Sequence, residues 1–243
     1  MRLRLSLPLL AAVLASETAL SQAPALVRDF FPGSSGTARP AVFFDGVLGA
    51  SGGRAFLSGF GPDGESGIWA TDGTDGGTRV ILDLPGFVPG ADVDGTFFFA
   101  AAAQDGRALW KTDGTVAGTT LVRRFAADPG KVAAFRLPSR VAGRLFFVAD
   151  DTVHGVELWV SDGTAAGTKM VKDVTPGPAG SFGYDGRLVD LDGVLLFSCG
   201  TSAPCGLWRS DGSEAGTFRI ADLGAADELV AANGTAYFRA SDA

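Results

Sequence analysis

Residues 157–168 read ELWVSDGTAAGT, and three further copies of the same pattern lie elsewhere in the chain: IWATDGTDGGT (68–78), LWKTDGTVAGT (109–119) and LWRSDGSEAGT (207–217). All four tryptophans of the protein occupy one place in these copies, at Trp69, Trp110, Trp159 and Trp208, with spacings of 41, 49 and 49 residues. Self-similarity at a period of about 40–50 residues marks a repeat architecture, in which no unit can hide its apolar face alone and each leans on the next.

Upstream of each Trp stands a glycine followed by an apolar, Phe-rich run: GRAFL (53–57), GTFFF (95–99), GRLFF (143–147) and GVLLF (193–197), with a fifth copy, GTAYF, at 234–238. Asp94-Gly95, Asp192-Gly193 and Asn233-Gly234 are strong two-residue hairpin signals, because a type I′ turn needs positive φ at both central positions. Each unit therefore reads as four short strands: one before the turn, the Phe-rich strand, the strand carrying Leu-Trp, and one after the Gly-Thr. Four antiparallel strands in about 40–50 residues is the size of a propeller blade.

The expected fold is all-β, a β-propeller of four-stranded antiparallel blades, with four full blades at about 37–84, 85–126, 127–174 and 175–223 and an incomplete fifth at 224–243. From turn glycine to Trp the distance is 16, 15, 16 and 15 residues; from Trp to the next turn glycine it is 26, 33, 34 and 26. Length variation therefore sits in the connections between blades, on the face opposite the DG and DGT turns, and variable loops are where binding tends to reside.

The N-terminus carries Arg2 and Arg4 ahead of a short apolar run, 5–15, and small residues near Ala23 and Ala25. This is the pattern of a cleaved secretory leader, assigned to residues 1–25. The run is too short to span a bilayer, which takes about 20 apolar residues. The expected location is outside the cytoplasm, secreted or in the cell envelope, with no membrane insertion once the leader is removed. VRDFFPGSSG (27–36) matches VKDVTPGPAG (171–180), so 26–31 reads as a fourth strand able to close a ring. The fifth turn glycine, Gly234, predicts a further Trp about 15 residues on, beyond Ala243. The chain is accordingly expected to be the front part of a longer repeat protein.

The net charge of -7 and pI near 4.7 argue against nucleic-acid binding, which requires clustered Lys and Arg. The two cysteines, Cys199 and Cys205, stand six residues apart in an exported chain, which favours a disulfide. A structural zinc would need four ligands, and the only histidine, His154, is remote in sequence. No cofactor is expected.

Asp72, Asp113, Asp162 and Asp211 of the DGT turns invite a calcium reading. Calcium takes six to eight oxygens, usually from several carboxylates close together, whereas each turn offers one, occasionally with a neighbour such as Asp75. The expected role is structural, each carboxylate accepting N–H bonds within its own turn. The tryptophans could be stacking platforms for sugar, but a Trp at a fixed repeat position more often packs between units. An enzyme would need acid–base groups outside the repeat pattern. The candidates are His154, expected to be exposed in its loop, with Asp150, Asp151 and Asp185, and they assemble no clear catalytic set, so no catalytic residue is assigned.

The repeat resembles the ELW-x-x-DGT repeat family of secreted bacterial proteins. Glu157-Leu158-Trp159 with Asp162-Gly163-Thr164 fits that signature in full, while Gly67, Ala108 and Gly206 replace the Glu in the other copies. The resemblance covers essentially 26–243 and implies a repeat fold outside the cytoplasm, with no catalytic residues to carry over. The expected function is a binding or scaffold module for a protein or glycan ligand; a carbohydrate-binding lectin-like propeller is the alternative, and a propeller hydrolase or lyase the third reading.

Overall fold

The computed structural model describes residues 43–60, 66–84, 88–103, 106–126, 135–200, 205–223 and 226–240, and these described residues form eighteen strands and no helix. Four sheets have four antiparallel strands each, paired in chain order. Sheet 1 comprises β1 (Phe43–Ser51), β2 (Arg54–Phe60), β3 (Ser66–Thr71) and β4 (Arg79–Leu82). Sheet 2 comprises β5 (Val88–Val93), β6 (Thr96–Ala103), β7 (Gly106–Thr112) and β8 (Thr120–Ala126). Sheet 3 comprises β9 (Phe135–Val141), β10 (Arg144–Asp150), β11 (Val156–Ser161) and β12 (Lys169–Lys172). Sheet 4 comprises β13 (Arg187–Leu191), β14 (Val194–Ser198), β15 (Leu207–Ser210) and β16 (Phe218–Ala221). A fifth sheet is the hairpin of β17 (Ala226–Ala232) and β18 (Thr235–Ala240). The leader 1–25, the strand read at 26–31 and the first residues of the first repeat lie outside the described residues.

All five leading hairpins turn in the same way. Asp94-Gly95 (φ 51° and 84°), Asp192-Gly193 (52° and 83°) and Asn233-Gly234 (51° and 69°) are left-handed at both positions, as are Gly52-Gly53 (57° and 73°) and Ala142-Gly143 (49° and 71°). That twist matches the right-handed twist of the flanking strands. Ala142 occupies the left-handed region without glycine's freedom or the local hydrogen bonding open to Asn and Asp.

The unbroken apolar runs follow from burial on both faces. Successive side chains of a strand point to opposite sides. Along β6, Phe97, Phe99 and Ala101 pack with Leu48, Phe56 and Ile68 of sheet 1, while Phe98 and Ala100 pack with Leu145, Phe147 and Trp159 of sheet 3. Along β10 the alternation repeats, with Leu145, Phe147 and Ala149 toward sheet 2 and Phe146 and Val148 toward Leu195 and Phe197 of sheet 4. The core is thus a series of layers between consecutive sheets, and the opening strands β1, β5, β9, β13 and β17 lie against one another in succession.

One irregularity recurs in all four full sheets. The register between the third and fourth strands slips beside the Trp, leaving Ile81, Val122, Val171 and Ile220 as the extra residue of a β-bulge. The bulge lets two consecutive residues serve the same interface: Ile81, Val122 and Val171 are buried in the layer toward the next sheet, and the residue after each reaches forward as well. The last layer is thinner. Leu196 and Leu207 meet Leu229, while Phe218, Ile220, Val230, Tyr237 and Phe238 are exposed.

Candidate functional site

The DGT turn explains its motif letter by letter. The hydroxyl two residues after the Trp (Thr71, Thr112, Ser161, Ser210) accepts the N–H of the motif glycine and meets the closing Thr hydroxyl at 2.7–2.8 Å. The Asp accepts both the N–H and the O–H of the next Thr or Ser, for example Thr164 N at 2.8 Å and Thr164 Oγ1 at 2.7 Å on Asp162 Oδ1. That Thr or Ser in turn accepts the N–H of the later glycine, Gly77, Gly118, Gly167 or Gly216, where a Cβ would collide with the Asp carboxylate. The bonds from Thr74, Thr115, Thr164 and Ser213, side chain first and backbone second, hold Asp72, Asp113, Asp162 and Asp211 below the usual carboxylate range. Among the described residues, no three His, Cys, Asp or Glu side chains converge as a metal set.

The indoles of Trp110, Trp159 and Trp208 face the preceding sheet. Trp69 and Trp159 are buried, at 4% and 3% exposure, and Trp110 and Trp208 are half-buried. Trp159 donates to Ala149 O at 3.1 Å and Trp208 to Cys205 O at 2.7 Å. The residue after the bulge covers the ring. Arg123 lies 4.9 Å over Trp159 and donates to Thr168 O at 2.7 Å; Lys172 lies 6.0 Å over Trp208 and donates to Thr217 O at 3.0 Å. Leu82 packs in the same layer as Trp110. A cation over an indole adds about 0.5–2 kcal/mol, and here it also ties one sheet to the next sheet's turn. No reading of the sequence picked out Arg123 or Lys172; their common spacing of 13 residues from Trp110 and Trp159 was the signal available.

At the turn end, a cleft of about 410 Å³ opens between sheets 3 and 4. It is lined by Arg144, Lys169, Asp162, Asp211 and Ser213, with Val160 and two glycines. Arg144 spans it, donating to Asp211 O at 2.5 Å, and Arg54 makes the matching bond to Asp113 O at 3.2 Å between sheets 1 and 2.

The opposite end of sheet 3 holds the off-pattern groups. Asp151 accepts the N–H of Val153 and His154 and meets His154 Nδ1 at 2.8 Å, so the His154 side chain, 38% exposed, is tethered in its loop. The Asp151 bond raises the His154 pKa. Burial works to raise Asp151, yet the His154 backbone, the His154 ring and the Val153 N–H together keep it lowered. Asp150 caps Thr152 N at 2.7 Å, and Asp185 stands apart on the segment leading to β13.

Glu157, noted in the sequence only as a letter of the signature, is fully buried at 0% exposure. Its carboxylate oxygens accept Ser181 Oγ at 2.5 Å and Val174 N at 3.3 Å, and burial pushes its pKa up to about 7 against those bonds. Just past β14 and just ahead of β15, Cys199 and Cys205 form a disulfide with Cα atoms 5.6 Å apart. No protein-family model matches the chain, and no curated protein matches it.

Proposed function

We propose that this chain is an exported repeat protein of β-propeller type, its four-stranded sheets acting as blades, and that it serves as a binding or scaffold module. The succession of opening strands β1, β5, β9, β13 and β17 against one another supports a radial arrangement, with β4, β8, β12 and β16 outermost. The ELW-x-x-DGT resemblance and the leader at 1–25 support export. The observation that carries a binding role is the cleft between the turns of sheets 3 and 4, where Arg144 and Lys169 offer donors beside Asp162, Asp211 and Ser213.

That mixture also favours the lectin-like reading over an unspecified partner, since a polyhydroxyl ligand uses donors and acceptors together. Such a ligand would enter the cleft and not stack on the indoles, because Trp159 is buried under Arg123. A hydrolase stands third; His154 and Asp151 sit at the other end of sheet 3 from the cleft.

A glycan array probed with the purified protein tests the reading. Binding competed by free monosaccharide and lost in Lys169→Ala, with the thermal midpoint held, supports a glycan-binding cleft. Binding only to an envelope protein, still lost in Lys169→Ala, supports the scaffold role. Binding untouched by that variant, or turnover of a glycan, overturns the cleft assignment.

A further inference from the structure

The segment 173–186, between β12 and β13, is gripped from both sides. Val156 O accepts the N–H groups of Ser181 (2.9 Å) and Phe182 (3.2 Å), and Cys199 O of sheet 4 accepts Gly183 N at 2.8 Å. The backbones of Gly155 and Gly180 pass so closely that a Cβ on either would collide with the other strand of chain. From β9, Arg136 donates to Phe182 O at 3.3 Å and Gly183 O at 3.0 Å. The segment seals Glu157 beneath it.

We propose that Glu157 is a proton-operated latch: neutral, its carboxyl lets the segment 173–186 close over the end of β11, and charged, it favours release of the segment to water. The geometry supplies the reasons. Glu157 has no exposed surface, and the donors on its oxygens are neutral, Ser181 Oγ and Val174 N. The charged groups around it are unfavourable or already engaged. Asp173, at the start of the segment, repels a second negative charge and has a buried Oδ1 with no hydrogen-bond partner among the described residues. His154, across the hairpin loop, is bound to Asp151. Arg136 is committed to the segment's carbonyls and to the Tyr184 ring, 4.8 Å away, and Asp185 adds a further negative charge on the segment. An ionised carboxylate in such a place gains by reaching water. Burial pushes the group up to about 7, which puts the change in the neutral range.

Only sheet 3 can carry the device, because the matching positions are Gly67, Ala108 and Gly206. What the latch would move is Tyr184, 92% exposed at the tip of the segment.

Hydrogen exchange followed by mass spectrometry on the intact protein, from about pH 5 to pH 8 and corrected for intrinsic rates, tests the proposal. Peptides covering 174–186 should lose about tenfold or more of their protection across that range, and should hold it in Glu157→Gln. Protection that is flat in the parent protein, or that falls equally in Glu157→Gln, overturns the latch. Should Glu157→Gln fail to fold, carboxyl carbon NMR on the parent protein decides. Titration of Glu157 in step with the Ser181 and Val174 amides supports the latch; a carboxyl already ionised at about pH 5, or one that titrates while those amides stay still, overturns it.

Discussion

Sheets 3 and 4 share a turn end and differ at the other. At the DGT turns they are superimposable in chemistry: Ser161 and Ser210 pair with Thr168 and Thr217, and Asp162 and Asp211 accept the same two bonds. At the far end, sheet 3 ties its hairpin loop with Asp151 and His154 and holds the segment 173–186 on the buried Glu157, whereas sheet 4 uses a covalent bridge, Cys199–Cys205. Where sheet 3 has Glu157, sheet 4 has Gly206, at φ +79°, where a Cβ would run into Ala221 O. The repeat thus fixes the turn end, which closes each sheet on itself, and leaves the far end free for a different solution in each copy. Individual function in such a protein has room at the free end and in the clefts between fixed turns.

The largest effect that bears on this contrast lies in the tryptophans. Trp159 is boxed in by Phe125 at 5.0 Å, Phe147 and Arg123, while Trp208 is half-buried under Lys172 and beside Phe197. Trp159→Ala should cost about 3–5 kcal/mol and Trp208→Ala roughly half of that, read from urea denaturation midpoints. Equal losses would mean that the two indoles are equivalent and that the wetter far end of sheet 4 has no energetic counterpart.

Protons should distinguish the ends next. The folded pKa of Glu157, about 7, lies above the ordinary 4.5. Its contribution is therefore complete below about pH 4.5 and is lost as pH rises through about 7, by at most ~3 kcal/mol. The turn carboxylates Asp72, Asp113, Asp162 and Asp211 have the opposite sign: depressed below 3.8, they stabilise above that value and lose their effect as pH falls through their folded values. Stability measured against pH should therefore fall on both sides of a mildly acidic maximum. Glu157→Gln should shrink the neutral limb to the part that His154, raised by its bond to Asp151, contributes, and leave the acid limb; a neutral limb of undiminished depth would assign it to His154 and not to Glu157.

The covalent end should respond less. Serine at both Cys199 and Cys205 removes a short loop closure, which by chain entropy is about 2 kcal/mol. Because Cys199 O, and not its sulfur, holds Gly183, the segment 173–186 should keep its amide protection in that double variant. Loss of protection there would show that the bridge, and not Glu157, governs the segment.

Most of the turn end was legible in the chain itself. Four copies of W-x-[S/T]-D-G-[T/S]-x-x-G-T fixed the strand order, and the DG and NG pairs fixed three of the five leading hairpins. What repetition could not reveal were pairings between copies. Arg123 and Lys172 find their indoles only because a bulge turns consecutive residues toward the same neighbour, and a one-residue slip leaves no mark in a hydrophobic pattern. Glu157 was hidden differently. A lone acid in an apolar strand reads as a signature letter until the segment that buries it, 24 residues on at Ser181, is in place. Ala142 was missed for want of a turn-forming residue: the flanking strands impose the turn on it.

That last residue offers the smallest and cleanest comparison at the shared end. Ala142 holds φ 49° where sheet 4 places Asp192 at φ 52°. A left-handed Ala costs roughly 1 kcal/mol, whereas Asn tolerates the region through local hydrogen bonding. Ala142→Asn should therefore raise stability by about 0.5–1 kcal/mol, and Asp192→Ala should lower it by a similar amount, both read as shifts in denaturation midpoint with unchanged slope. The two changes together should depart from their simple sum, because the Ala142 side chain lies 3.9 Å from the place a Cβ on Gly193 would take, and sites in contact couple. A gain at Ala142 without the mirrored loss at Asp192 would mean that sheet 4 is stabilised at its turn by something besides the backbone, and the 2.8 Å bond from Gly193 N to Asp190 Oδ1 is the contact that would then carry it.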